Sequence, residues 1–218
     1  MYRRTEKGEV YGVLTDFDLS SFTAHLGSDY TKTSQQRTGT PPYMAYGLLR
    51  GSDTFHLYRH DVESLFYIIL ILTTRYEIRA SKKGEEGGLQ KRQGLDTLPY
   101  DLWFNQPSYV ALASFKQNFL MTSSNLDLSP EFEDFSGWLE DLRRSFRKGV
   151  RSEDDHAEAL RDWRKRQIGA APQFDVETMG EHVGYSTLIS PTRNLTGKLE
   201  GLTIRYDAGS STSTEVHA

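Results

Sequence analysis

The apolar run Val13-Leu14-Thr15 delivers a carboxylate, Asp16, to its end, and Phe17-Asp18-Leu19 follow. A carboxylate at the end of a strand can be held rigidly while facing a cleft, as a hard-cation ligand requires. Asp also ends strands simply as a turn former, so Asp16 alone leaves both readings open. The next charged cluster, His60-Asp61-Val62-Glu63-Ser64-Leu65-Phe66-Tyr67, opens a run that is apolar on nearly every side. His56 and His60 are four residues apart, so on a helix the two imidazoles would share a face, as zinc ligands do. The Glu expected directly after the first His is Leu57, which favours a structural role for the pair. Ser, His and Asp are all present, but no Gly-x-Ser-x-Gly elbow supports a hydrolase. The chain has no cysteine, which excludes disulfides, thiolate zinc sites and Cys nucleophiles.

The elements that must position these groups are legible in outline. Val10 to Leu14 is strand-like and follows the turn-forming Glu6-Lys7-Gly8-Glu9, so Met1-Tyr2-Arg3 is its expected hairpin partner. Ser20 to Thr40 is rich in Ser, Thr, Gly and Gln without a period and reads as loop. Val62 to Leu72 fits either a buried strand or a buried helix by periodicity; its length favours helix, and Asp61 and Glu63 suit a helix N-terminus. A helix apolar all round belongs in the middle of a domain. Residues 80–94 are charged and Gly-rich and read as a flexible surface insertion.

Three further helices are expected. Tyr109 to Met121 places Leu112, Phe115, Phe119 and Leu120 on one face. Pro130 to Lys148 starts with Ser129 as cap and Pro130 at the first helical position, places Phe132, Phe135, Trp138, Leu139, Leu142 and Phe146 on one face, and stops at Gly149. A third, capped by Ser152 with Asp155 three residues on, turns Ala157, Leu160 and Trp163 inward and ends near Gly169. Arg143-Arg144 with Arg147-Lys148, and Arg164-Lys165-Arg166, then fall in last turns, where cations offset the helix dipole. After Ala208 the chain reads as a disordered tail.

Composition bounds the function. The 218 residues are 37% hydrophobic and 12% aromatic, enough for one sizeable core. Net charge is −4 and argues against nucleic acid as the main partner. Mean hydropathy is −0.59 and no run reaches spanning length, so no membrane partner is expected. The charged N-terminus lacks the apolar stretch of a secretory signal. Asn194-Leu195-Thr196 matches a glycosylation acceptor, but no export signal supports its use. The expected location is intracellular, cytoplasmic or nuclear.

Three motifs in order resemble the fungal-type protein kinase family: Asp16-Phe17-Asp18-Leu19, Arg37-Thr38-Gly39-Thr40-Pro41-Pro42-Tyr43-Met44, and His60-Asp61-Val62-Glu63-Ser64-Leu65-Phe66-Tyr67. Trp103-Phe104 and Ala113-Ser114-Phe115-Lys116 also look like its C-terminal part, so the resemblance spans roughly residues 1 to 190. It implies a mainly α fold, the large C-terminal lobe of a protein-kinase-like domain, with a short β-hairpin at residues 2 to 14. The partial domain would run over 1–205, with an insertion at about 80–95 and a disordered tail at 206–218. Carried over, Asp16 resembles the magnesium-binding Asp and Phe17 the residue whose packing sets the active or inactive state. Asp18 stands where most kinases have Gly and stiffens the hinge after Phe17. Thr38, Gly39 and Thr40 resemble the end of the activation segment, with Thr40 positioning substrate hydroxyl and catalytic base. Asp61 resembles the central-helix Asp that braces the catalytic loop. Phosphorylation at Ser28, Thr31, Thr33, Ser34 or Thr38 would order this loop through Arg pairs.

The chain also departs from the kinase pattern. Ala-Pro-Glu is replaced by Ala45-Tyr46-Gly47, so the anchoring Glu is missing at Gly47. No His-Arg-Asp followed by Asn, no Gly-rich nucleotide loop and no Val-Ala-Ile-Lys occurs; Arg59-His60-Asp61 has similar letters in the wrong order and place. Met1-Tyr2-Arg3-Arg4 resembles the strand just beyond the catalytic Asn. Phosphoryl transfer is positioning plus electrostatics, and one metal carboxylate without base, Lys or covering loop cannot assemble it. The expectation is therefore a kinase fragment inactive alone, binding ATP and Mg2+ weakly or not at all. The other readings are a non-catalytic scaffold module and a kinase completed by another chain. The partners expected are a protein substrate or partner protein, with association through an exposed face of the lobe.

Overall fold

The computed structural model describes residues 2–4, 10–12, 39–51, 56–79 and 88–189. It divides into two compact units, residues 1–35 with 196–218, and residues 36–195. In the first, β1 (Tyr2–Arg4) pairs antiparallel with β2 (Val10–Gly12), Arg3 opposite Tyr11. This is the hairpin expected from the turn residues between them. Asp16, Phe17, Asp18, the phosphorylatable positions from Ser28 to Thr38, and the tail at 206–218 lie outside the described residues.

The second unit is mainly helical. A 3-10 turn (Pro41–Tyr43) leads to α1 (Tyr46–Arg50), then α2 (Tyr58–Arg75), the hairpin β3 (Tyr76–Arg79) and β4 (Gly88–Lys91), and α3 (Tyr109–Met121). A 3-10 segment (Pro130–Phe135) precedes α4 (Ser136–Arg166), and α5 (Tyr185–Ile189) closes the described chain. The run from Val62 to Leu72 is helical, inside an α2 of 18 residues, about 27 Å long. No helix among the described residues is long and apolar enough to cross a membrane.

Helix α2 is the axis of the core. Its N-terminus is closed by His60, whose Nδ1 accepts the Leu57 N–H at 3.0 Å while the His60 N–H donates to the Leu57 carbonyl. An imidazole thus does what Glu does in a capping box. At the other end the free carbonyls are taken in turn: Thr73 by the Ser129 N–H, Thr74 by Arg92 Nη1 and Arg75 by the Arg92 N–H. Satisfying these orphan acceptors lets the chain pass directly from helix to strand. Phe66, Tyr67, Leu70 and Ile71 pack against Leu112, Phe119 and Leu120 of α3 and Leu139, Leu142 and Phe146 of α4. Phe66 lies 6.1 Å from the Phe119 ring and 5.5 Å from Phe146.

Several sequence expectations are corrected. Gly88–Lys91, inside the segment read as a flexible insertion, is a strand paired with β3; a charged, Gly-rich hairpin offers no periodicity to detect. Ser129 stands at the N-cap position with Pro130 first in the segment, as expected, but the segment is a 3-10 turn and the Ser129 hydroxyl donates to the Tyr76 carbonyl instead of capping it. Phe115 is exposed, and its place on the inner face is taken by Lys116. Gly149 does not end a helix and Ser152 does not begin one, because α4 runs unbroken from Ser136 to Arg166. Ala157 is exposed rather than inward. Consequently Arg143, Arg144, Arg147 and Lys148 sit in mid-helix, and the dipole explanation fails for them. Arg147 instead serves the neighbouring helix, donating to the Leu120 carbonyl at 2.8 Å and to that of Thr122, the C-cap of α3. The last turn of α4 does hold Arg164, Lys165 and Arg166.

Gly149 has a packing reason. A Cβ built there would lie 2.8 Å from Met179 Cβ and 3.0 Å from its sulfur. Met179 is fully buried with φ +53, so it has little freedom to retreat. Gly149→Ala is expected to destabilise by about 1–3 kcal/mol through overpacking, despite the better helix propensity of Ala. Thermal unfolding of the variant checks this; a rise in stability would show that the turn at Met179 is free to move.

Candidate functional site

The described part of the motif constellation is the stretch after the Gly39-Thr40 turn and its seat on α2 and α3. Gly39 has φ +134, and a side chain there would also meet Met44 Cγ at 3.1 Å, so the turn requires glycine. Thr40 is exposed, and its carbonyl accepts the Tyr43 N–H at 2.9 Å to open the 3-10 turn. Pro41 sits in the first helical position, where its missing N–H costs nothing.

Two buried side chains of opposite charge then fix the backbone on either side of Ala45. Lys116, on α3 and wholly buried, donates its Nζ to the Met44 carbonyl. Glu63, on α2, accepts the Tyr46 N–H at 2.8 Å and the Tyr67 hydroxyl at 2.6 Å through Oε1. The Lys116 ammonium lies 3.8 Å from the centre of the Tyr67 ring and 5.2 Å from that of Trp103, so two π faces help to solvate it. Burial pushes the Glu63 carboxyl above its ordinary range, while the bonds from Tyr67 and Tyr46 and the charges of Lys116 and Arg59 pull it back. Burial likewise drags the Lys116 ammonium down, with Glu63 opposing. Burial, then the Glu63 carboxylate, raises the Tyr67 phenol well above its usual range, so it stays a donor. Each charge exists in the core because the other offsets its desolvation.

This arrangement answers the missing Glu at Gly47. An anchoring carboxylate is present, supplied by α2 instead of by the loop itself. A Cβ on Gly47 would lie 3.3 Å from His60 Nε2 and 3.8 Å from Arg59 Nη1, so α1 approaches α2 closely at this position. Arg59 is buried with Nε unpartnered, and His60 Nε2 is also without a partner among the described residues.

The remaining sequence-nominated residue, Asp61, is 68% exposed, and its Oδ1 lies 2.7 Å from His56 Nε2. That carboxylate raises the His56 imidazole, with burial working against it. His56 and His60 stand edge to face at 5.7 Å, but no group of three His, Asp or Glu among the described residues could hold a metal ion. The structure therefore gathers Gly39, Thr40, Glu63 and Lys116 into one anchored segment and leaves Asp61 on the α2 surface. Along the Asp61 face of α2, Leu65, Ile68 and Leu72 are exposed.

Glu63 and Lys116 lay inside quoted motifs, yet their roles were missed. The available signal was the spacing: Glu63 stands three and four residues before Phe66 and Tyr67, and Lys116 three and four before Phe119 and Leu120. Each occupies a core position by helical period, and charges in core positions come in pairs.

Chemically the cluster positions backbone; it contains no nucleophile held by a base. No curated protein and no solved structure matches the chain. A model of the family described as fungal protein kinase matches residues 1–73, which include all three motifs, and through that third of its length the chain is related to the fungal protein kinases.

Proposed function

We propose that this chain is part of the large lobe of a fungal-type Ser/Thr protein kinase, and that it does not transfer phosphate by itself. The observation that carries the reading is the double clamp on Met44 and Tyr46. It fixes the chain directly after the Gly39-Thr40 turn, where the family resemblance places the seat of the protein substrate. Asp16 would supply one ligand to Mg2+ and Phe17 would pack beside the nucleotide, with the base and the phosphate-binding Lys absent from the 218 residues. Thr38 and Thr40 belong to the substrate side of the same segment, and Asp61 to the face of α2 that would brace a catalytic loop. The exposed Leu65, Ile68 and Leu72 on that face support the second reading, a non-catalytic module that binds a partner protein there.

The test is transfer of radiolabelled phosphate from ATP to a general protein substrate, with magnesium present. The isolated chain is expected to give no turnover above buffer. Millimolar Mg-ATP should raise its unfolding temperature by less than about 1 °C, because weak binding contributes little stability. Adding a separately produced family segment with the Gly-rich loop and His-Arg-Asp should restore transfer if the chain is a kinase part. It should leave the chain silent if it is a scaffold. Turnover by the isolated chain would overturn the proposal.

A further inference from the structure

We propose that the groove between the loop at residues 122–127 and α4 is a receptor for a phosphoryl group carried on Ser123. The groove has a volume of about 610 Å³ and is lined by Ser123, Glu133, Glu140, Arg143, Arg144 and Arg147 among others. Ser123 is exposed, and its Oγ already accepts from Arg147 Nη1 at 3.2 Å. The three arginines are not equivalent. Arg143 is buried; its Nη2 donates to the Ser124 carbonyl at 2.6 Å and to Glu140 at 2.7 Å, while its Nε and Nη1 have no hydrogen-bond partner among the described residues. Arg144 is 61% exposed and, among the described residues, pairs with Asp141 alone at 2.7 Å, an i,i+3 surface pair of little worth that can be exchanged. Arg147 donates to carbonyls and to Ser123, and among the described residues no carboxylate pairs with it.

Three guanidiniums thus meet Glu133, Glu140 and Asp141, and Arg147 is the one of the three with no carboxylate partner among the described residues. Burial, then the neighbouring charges of Arg143 and Arg151, hold the Arg147 guanidinium below its usual range, with Glu140 opposing and Arg144 adding to the effect. A serine hydroxyl offers this cluster only a neutral acceptor. A phosphoryl group adds roughly −1.5 to −2 charge and three acceptor oxygens, and a guanidinium fork binds such a group through two parallel bonds. Negative charge just past the C-terminus of α3 is unfavourable by itself. Arg147, which holds the last carbonyls of that helix, is placed to offset it. Glu140 is held by Arg143, and Glu133 is exposed at the rim.

The modification is an ordinary transfer. A separate Ser/Thr kinase moves the terminal phosphoryl of a nucleoside triphosphate to Ser123 Oγ. The new O–P bond forms as the bond to the nucleoside diphosphate breaks, and that kinase's base takes the hydroxyl proton. Phosphorylation would then lock the 122–127 loop, and with it the end of α3, onto α4.

The experiment places phosphoserine at position 123 of the full chain by genetic encoding and follows its 31P resonance against pH. The phosphate titration midpoint, near 6 when free, is expected about half a unit or more below that of a peptide spanning residues 118–128. Arg144→Gln should return part of that shift, and Arg144→Gln with Arg147→Gln most of it. Phosphopeptide mapping of the chain produced in a fungal host, with phosphatases inhibited, should find phosphate on Ser123. A midpoint equal to the peptide's, a shift that survives both substitutions, or a Ser123 without phosphate overturns the proposal.

Discussion

Replacing Glu63 by Leu is expected to destabilise the folded chain by about 3–5 kcal/mol, whereas Glu63→Gln should cost about 1–2 kcal/mol. Leu removes the acceptor for the Tyr46 N–H and the Tyr67 hydroxyl, and both donors then stay buried without partners. It also strands Lys116, which is wholly buried and whose ammonium this carboxylate supports. Gln keeps the acceptor and the shape and loses only the charge. Both variants remove the charge beside Lys116, so the cost of Gln reports the electrostatics and the further cost of Leu reports the lost acceptor. Urea denaturation read by tryptophan fluorescence is suited to the purpose, since Trp103 lies 5.3 Å from Tyr67. A Leu variant within about 1 kcal/mol of the parent would mean that the segment is held by packing of Met44 and Leu49 alone.

The pair can be tested as a pair. Lys116→Met by itself leaves Glu63 charged and buried, and should cost as much as Glu63→Leu. Combining the two is expected to recover about 1–3 kcal/mol relative to the sum of the single changes, because neither charge is then left uncompensated. The recovery would be incomplete, since Met44 and Tyr46 would still lack backbone partners. Loss of the clamp should also show locally, as faster amide exchange at Tyr46 than at residues in the middle of α2.

Legibility followed the kind of signal each element carries. Helix α3 could be bounded at Tyr109 and Met121 from the period of its apolar residues, and the structure adds Ser108 as its cap, accepting the Ala111 N–H at 3.2 Å. The α2 run was recognisable by its length, and the β1–β2 hairpin by its turn residues. Where one residue type has two physical uses, the sequence was ambiguous. Gly149 can end a helix or make room beside one, and only the position of Met179 decides. Arg147 can offset the dipole of its own helix or cap another, and only tertiary packing brings Leu120 and Thr122 to it. The candidate site was half visible for a similar reason. The motifs marked Gly39, Thr40 and the Glu63 stretch as belonging together. The partner that completes the clamp, Lys116, is 72 residues from Met44, and no local pattern links them.

Acidification from pH 6.5 to pH 4.5 is expected to cost the folded chain about 2–3 kcal/mol through His60 alone. This imidazole is fully buried, with Nδ1 accepting the Leu57 N–H, so the folded form carries its proton on an Nε2 that faces Gly47 without a partner. Burial, then the charges of Arg59 and His56, lower its pKa to about 3, against the weaker pull of Asp61. In the unfolded chain it titrates near 6.5. Between these values the unfolded state binds a proton that the folded state refuses, so stability is fully present above about pH 6.5 and falls as pH drops. Two groups work the other way. His56, raised by Asp61, adds stability below pH 6.5, but it is half-exposed and well screened. Glu63, raised by burial, is favoured as protons become available. The His60→Asn variant isolates the effect, because its side-chain oxygen can still accept from Leu57 while nothing titrates. Its urea midpoint is expected to be lower than the parent's at pH 7 and to change by less than half as much on going to pH 4.5. Parallel profiles for the two proteins would assign the acid lability to carboxylates and leave the His60 cap as a purely geometric device. A flattened profile would tie the N-terminus of α2, and the α1 turn packed against it, to the protonation of one residue.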